Sequence, residues 1–173
     1  MGPRRRLPVS LIVACSLNRV IGKGGTLPWN LPADWAFFSS VTKNQVLIVG
    51  RRSFEEFTAP IPNRQTIVVS STLEQPKVRA SCGHQSGVQI ARTLRQALEM
   101  ADSDPRYQDC SRVYIGGGES LYKEAMAANI AESCYVSRVQ ETIVAGDTFF
   151  PKWTIQFPNL IYSVKTNGGG STR

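Results

Sequence analysis

The 173-residue chain has one histidine, His84, and four cysteines, Cys15, Cys82, Cys110 and Cys134, none in a Cys-x-x-Cys spacing. So few ligands argue against a zinc or iron–sulfur centre, and no metal is expected. Cys15 and Cys134 lie in apolar runs and read as small buried hydrophobes, which fits free thiols in a reducing, cytoplasmic setting. No apolar run approaches the ~20 residues of a membrane span. Pro8 and Ser10 make Leu7 to Cys15 a poor secretory signal, and Arg6 stands where a myristoylation motif needs Ser or Thr. There is no internal repeat. The net charge is +7, but its cations form no stripe with interleaved aromatics. No nucleic-acid partner is expected; the charge suits a small polyanion or serves solubility. The length suggests one domain, residues 7–166, between a basic extension at 1–6 and a Gly/Ser-rich tail at 167–173.

What is present is a set of buried-strand patterns with chemistry at their ends. Continuous apolar runs mark strands at residues 9–15, 45–49, 65–71, 112–115 and 133–139, with shorter or weaker ones at 88–90 and 160–165. Pro32 suits the first turn of a helix running to Thr42. In it Asp34 and Phe38 are four apart and Trp35 and Phe38 three apart, so one apolar face carries a single carboxylate. That acid is either exposed at the helix start or partly buried with raised proton affinity. Before it, Gly22-Lys23-Gly24-Gly25 reads as a loop or a lid over a site.

Further on, Val49-Gly50-Arg51-Arg52-Ser53 joins a strand to a helix start, with Ser53 as its cap. Free amides and two arginines there suit a phosphate better than a plain solvated face. Arg64, after Pro60-Ile61-Pro62-Asn63, is either surface-exposed or a carboxylate clamp. Ser70 and Ser71 end a strand, where open α/β sheets bind ligands. Thr93 caps a helix to about Met100. Gly116-Gly117-Gly118 precedes another helix, to about Ala128, and lets backbone reach a pyrophosphate, although it is not Gly-x-Gly-x-x-Gly.

In order, Ile21-Gly22, Leu27 to Asp34, Val49-Gly50-Arg51, Pro60 to Arg64, Val69-Ser70-Ser71, Gly116 to Gly118 before Leu121-Tyr122, and Gly146-Asp147-Thr148-Phe149-Phe150-Pro151 resemble dihydrofolate reductase along nearly the whole chain. The resemblance implies an eight-stranded, mostly parallel α/β sheet flanked by helices, here lacking its last edge strand. It implies NADPH-dependent reduction of 7,8-dihydrofolate to tetrahydrofolate, serving one-carbon metabolism and thymidylate synthesis. Antifolates such as methotrexate or trimethoprim would bind. The chain would be a monomer unless fused to thymidylate synthase.

By position, the resemblance makes Asp34 the acid, bonded by Ser137 (commonly Thr), and completes the catalytic set with Trp29 holding the lid and Leu27 bordering the nicotinamide. Trp35, Phe38, Phe57 and Ile61 would wall the pterin and aminobenzoyl groups, and Arg64 would hold the glutamate carboxylate. Ile12, Val13 and Tyr122 would line the pterin side, with Ile115 or Gly116 offering a carbonyl. Ala14, Ile21, Gly22, Gly25 and Thr26 would border the nicotinamide. Gly50, Arg51, Arg52, Ser53, Val69, Ser70 and Ser71 would hold the phosphates, completed by Gly117, Gly118, Glu119, Ser120, Leu121 and Thr148. A riboflavin-pathway reductase of the same fold, a non-catalytic cofactor binder and a nucleic-acid binder are the alternatives. Asp34 after Trp29-Asn30-Leu31-Pro32 and Arg64 after the proline pair argue against the first.

Overall fold

The computed structural model describes residues 5–56, 61, 63–74, 87–166 and 171–172. Phe57, Cys82 and His84 lie outside them. In chain order the elements are β1 (Val9–Ser16), β2 (Val20–Gly22), β3 (Trp29–Asn30), α1 (Pro32–Val41), β4 (Val46–Gly50), α2 (Arg51–Glu55), β5 (Gln65–Val69) and β6 (Val88–Ala91). Then come α3 (Leu94–Ser103), a 3-10 turn (Pro105–Tyr107), β7 (Val113–Ile115), α4 (Glu119–Ala127), β8 (Ser133–Val139), β9 (Thr148–Phe149) and β10 (Ser171–Thr172).

Six strands form one sheet in the order β6-β5-β4-β7-β1-β8, and every pairing in it is parallel. Helices cover both faces, so the interior strands are mostly apolar: Val46, Leu47, Ile48 and Val49 of β4 are all fully buried. One core, containing Leu11, Ile48, Ile67, Leu94, Ala97 and Leu121, lies under α3 and α4. The other, with Ile12, Leu47, Val49 and Tyr114, lies under Phe38 and Val41 of α1. Thr93 caps α3 as expected, its hydroxyl accepting the Gln96 N–H, and the helix continues past Met100 to Ser103. No helix of the described residues is long and apolar enough to cross a membrane.

Several expectations are corrected. The main sheet has six strands rather than eight; β2–β9 and β3–β10 form separate antiparallel ribbons. Residues 160–165 are not a strand. They are exposed and outside every ladder, because propensity makes a strand only where a neighbour supplies hydrogen bonds. Within the expected tail, Ser171 and Thr172 pair with Asn30 and Trp29. Ser53 does not cap α2: the helix already begins at Arg51 with Gly50 at its N-cap and no side-chain cap, which leaves Ser53 inside it.

Candidate active site

Asp34 lies in the first turn of α1, and its carboxyl is half-buried. Burial raises its pKa above the ordinary aspartate value, and a hydrogen bond from the Ser137 hydroxyl pulls it partly back down. Ser137 is opposite Ala14 in the β1–β8 ladder, so β8 brings to Asp34 a hydroxyl remote from it in sequence. Next to the acid, Trp35 is 50% exposed and stacks on Phe38 at 5.6 Å between ring centroids. Phe38 packs with buried Ile61. The face expected to be apolar around one carboxylate is present.

Arg64 is drawn to the far end of α1. Its Nε donates to Thr42 Oγ1 at 2.9 Å and its Nη2 to the Ser39 carbonyl at 2.6 Å. Burial lowers its pKa from the arginine value without threatening its charge. On the sheet side, Ile12, Val13 and Ile115 are buried. The Tyr122 hydroxyl donates to the Ile12 carbonyl at 2.7 Å, and burial pushes its pKa well up, which keeps it a donor. A Cβ on Gly116 would meet Leu47 Cδ1 at 3.0 Å, so that position forms a close-packed floor.

The glycine loop is tied to the segment around Asp147 and Thr148. The Gly24 N–H donates to Asp147 Oδ2 at 2.8 Å, and the Thr148 hydroxyl donates to Asp147 Oδ1. Gly22 pairs with Thr148, and a Cβ there would lie 2.6 Å from Thr148 Oγ1. Gly25, Thr26 and Leu27 are exposed, and Ile21 is half-buried against the core. Trp29 is buried with Val20, Val139 and Ile143, which joins the loop's far end to the sheet. Its indole N–H has no hydrogen-bond partner among the described residues. In the sequence Asp147 stood only within the Gly146 to Pro151 motif, and its bond to the Gly24 amide was not foreseen.

On the opposite flank the Gly50 N–H donates to the Gly117 carbonyl at 2.8 Å. Gly117 has φ +121°, which favours glycine, and a Cβ there would press on Ser53 Oγ at 3.0 Å. Gly118 heads α4 without a side-chain cap, followed by Glu119, paired with Lys123 at 2.9 Å, exposed Ser120 and buried Leu121. Arg51 and Arg52 are exposed at the start of α2. Val69 ends β5 beside Gly50. Ser70 Oγ accepts the N–H groups of Thr72 and Leu73, while Ser71 is exposed. Arg92, which follows β6, was also missed. Its Nη1 donates to the carbonyls of Ser70 at 2.9 Å and Leu73 at 2.7 Å. Cations, hydroxyls and helix-start amides at the ends of parallel strands are chemistry for phosphate, and these residues fit a phosphorylated dinucleotide. No cluster of metal-ligating side chains occurs among the described residues.

A family model described as dihydrofolate reductase matches residues 8–166. The chain is 37% identical over 154 residues to a dihydrofolate reductase of Haemophilus influenzae, covering 86% of this chain and 84% of that one. It is 36% identical over 145 residues to a dihydrofolate reductase type 3 of Salmonella typhimurium, covering 84% and 79%. It is 32% identical over 158 residues to the Aedes albopictus enzyme, covering 86% and 81%.

Proposed function

The chain belongs to the dihydrofolate reductase family, and from that premise we propose that it reduces 7,8-dihydrofolate with NADPH at the cleft between α1 and the ends of β1 and β8. The observation that carries this reading is the half-buried Asp34 bonded by Ser137 and flanked by Trp35 and Phe38. A pterin presents an amidine-like edge of N3 and a 2-amino group, and a carboxylate accepts from both. When bound, the reduced nicotinamide supplies the hydride that reaches pterin C6. Asp34 holds the ring at N3 and the 2-amino group and favours the proton at N5. Ser137 holds the carboxyl oriented. Phe38 and Ile61 wall the aminobenzoyl group, the place that the family resemblance also gives Phe57. Arg64, already pinned on Ser39 and Thr42, offers the glutamate carboxylate a fixed cation.

Tyr122 and Ile12 form the floor beside the nicotinamide, and the Gly22–Leu27 loop with Trp29 excludes water above it. Arg51, Arg52, Ser53, Ser70 and Ser71 receive the phosphates, and a cluster of that charge favours the 2′-phosphate of NADPH over NADH. Gly117, Gly118 and the α4 amides take the pyrophosphate. Dihydrofolate and antifolates such as methotrexate or trimethoprim are the small-molecule partners. The free thiols Cys15, Cys110 and Cys134 support a cytoplasmic site of action, in one-carbon metabolism and thymidylate synthesis. The catalytic body is residues 7–166.

The test is NADPH consumption with dihydrofolate by this chain and by Asp34→Asn, with and without methotrexate. Turnover stopped by both the inhibitor and the substitution is the expected result. NADPH binding without turnover in the parent chain would make it a binder instead, and near-parental turnover in Asp34→Asn would sink the acid assignment.

A further inference from the structure

α1 carries Asp34, Trp35 and Phe38, yet it is held lightly. None of its side chains is fully buried, and its N-cap, Leu31, makes no side-chain cap bond. Phe38 and Val41 rest on the sheet. Of the helix's polar fastenings, Asp34 meets Ser137 near its start, and Arg64 reaches Ser39 and Thr42 at its end. Both Asp34 and Arg64 also have ligand groups to hold in the function proposed above. A helix fastened only by them would shift whenever they changed partners.

Phe37 supplies a fastening without such a duty. Its ring lies 6.5 Å from that of Tyr135 on β8, tilted at 44°. Tyr135 in turn meets Tyr114 of β7 edge to face, at 5.8 Å and 61°. Tyr114 is a fixed backstop: it is buried, and its strand pairs on both sides, with Ser10 of β1 and Leu47 of β4. Spacing joins this column of rings to the acid. Asp34 and Phe37 are three apart, on one face of α1. Ser137 and Tyr135 are two apart, on one face of β8, opposite Ala14 and Ile12. So α1 meets β8 at successive rungs, first the acid's and then the ring's, and the two elements run antiparallel.

We propose that Tyr135, backed by Tyr114, is a positioning residue for the reaction: through Phe37 it seats α1 and so fixes the depth at which the Asp34 carboxyl stands against β8. The proposal rests on the reading of Asp34 as the group that holds the pterin. Depth matters because burial is the larger influence on that carboxyl, ahead of the Ser137 bond. The groups that face it are the Ser137 hydroxyl of β8 and the Tyr122 phenol of α4, which burial keeps protonated. A helix lifted from β8 exposes the carboxyl, and its pKa falls toward the ordinary 3.8. The Tyr135 ring carries the contact with Phe37, so phenylalanine in its place serves as well.

The test follows the Asp34 carboxyl by carbon-13 NMR across pH in chains labelled at aspartate, its signal being the one lost in Asp34→Asn, alongside steady-state kinetics. Phe37→Ala and Tyr135→Ala should each move the titration down toward 3.8. Each should raise KM for dihydrofolate about 2–10-fold, the worth of one aromatic pair, with KM for NADPH unchanged. Tyr135→Phe should keep both at parental values. The double variant should go no further than either single one, since both remove the same contact. Phe37 is 42% exposed, so Phe37→Ala keeps the fold and decides alone if Tyr135→Ala does not fold. An Asp34 titration unmoved in Phe37→Ala, additive shifts in the double variant, or a Tyr135→Phe that titrates like Tyr135→Ala would each overturn the proposal. Parental turnover in Asp34→Asn would instead remove the acid reading, and the titration would still decide whether Tyr135 seats the helix.

Discussion

The carboxyl of Asp34 trades stability for chemistry. Its folded pKa is raised, so the folded chain binds that proton more tightly than the unfolded one. The native state is therefore penalised wherever Asp34 is ionised, and the penalty fades as pH falls toward 3.8, the ordinary value. Asp34→Asn should raise the melting temperature at neutral pH and lose that advantage on acidification, while cutting turnover by about 10²–10⁴-fold. Thermal scans from pH 4 to 8 check the sign; a variant less stable at pH 7 than the parent would refute it. Arg64 makes a different kind of prediction. Arg64→Ala should raise KM for dihydrofolate by about 10–100-fold, the worth of a charged hydrogen bond, with a smaller effect on hydride transfer in single turnovers. Asp34 and its partner Ser137 were legible in the sequence, the first as the one charge on an aromatic face and the second as a polar break in an apolar strand. Asp147 and Arg92 were not, because each meets the backbone of a distant segment, and backbone acceptors and donors carry no residue signature. Gly24 and Asp147 are 123 positions apart.

Among the elements, the β2–β9 ribbon is the tightest joint. A Cβ on Gly146 would stand 2.5 Å from both Cγ1 and Cγ2 of Val20, which is fully buried. A branched side chain in a packed site has nowhere to turn. Gly146→Ala should therefore cost about 1–3 kcal/mol, read as a lower urea midpoint at unchanged slope. Loss of the Asp147 carboxylate should act more locally: Asp147→Ala frees Gly24, and the loop should become the first site of proteolytic nicking while the midpoint scarcely moves. The interior strands were readable because burial on both faces leaves an uninterrupted apolar run. The same rule misled at Leu160–Lys165, where the run is present and the neighbouring strand is not. The start of α2 lies three residues before the expected one: Gly50, not Ser53, is its N-cap, and the helix opens without a side-chain cap.

At the scale of the whole molecule, the site is assembled from both halves of the chain, so its ligands should hold the fold together. Methotrexate at a thousandfold its Kd should add about 4 kcal/mol to the unfolding free energy. Calorimetry with and without the inhibitor measures this, and Asp34→Asn should lose most of the gain. The order of the sheet has a further consequence, for synthesis. β1 is the first strand of the chain, yet it sits between β7 and β8, pairing Val9 with Val113 and Ser10 with Ser133. At roughly 5–20 residues per second of translation, β1 waits on the order of 6–25 s for its neighbours. During that interval Leu11, Ile12 and Val13 have left the ribosome with no sheet to enter, which makes this first strand a natural handhold for a chaperone.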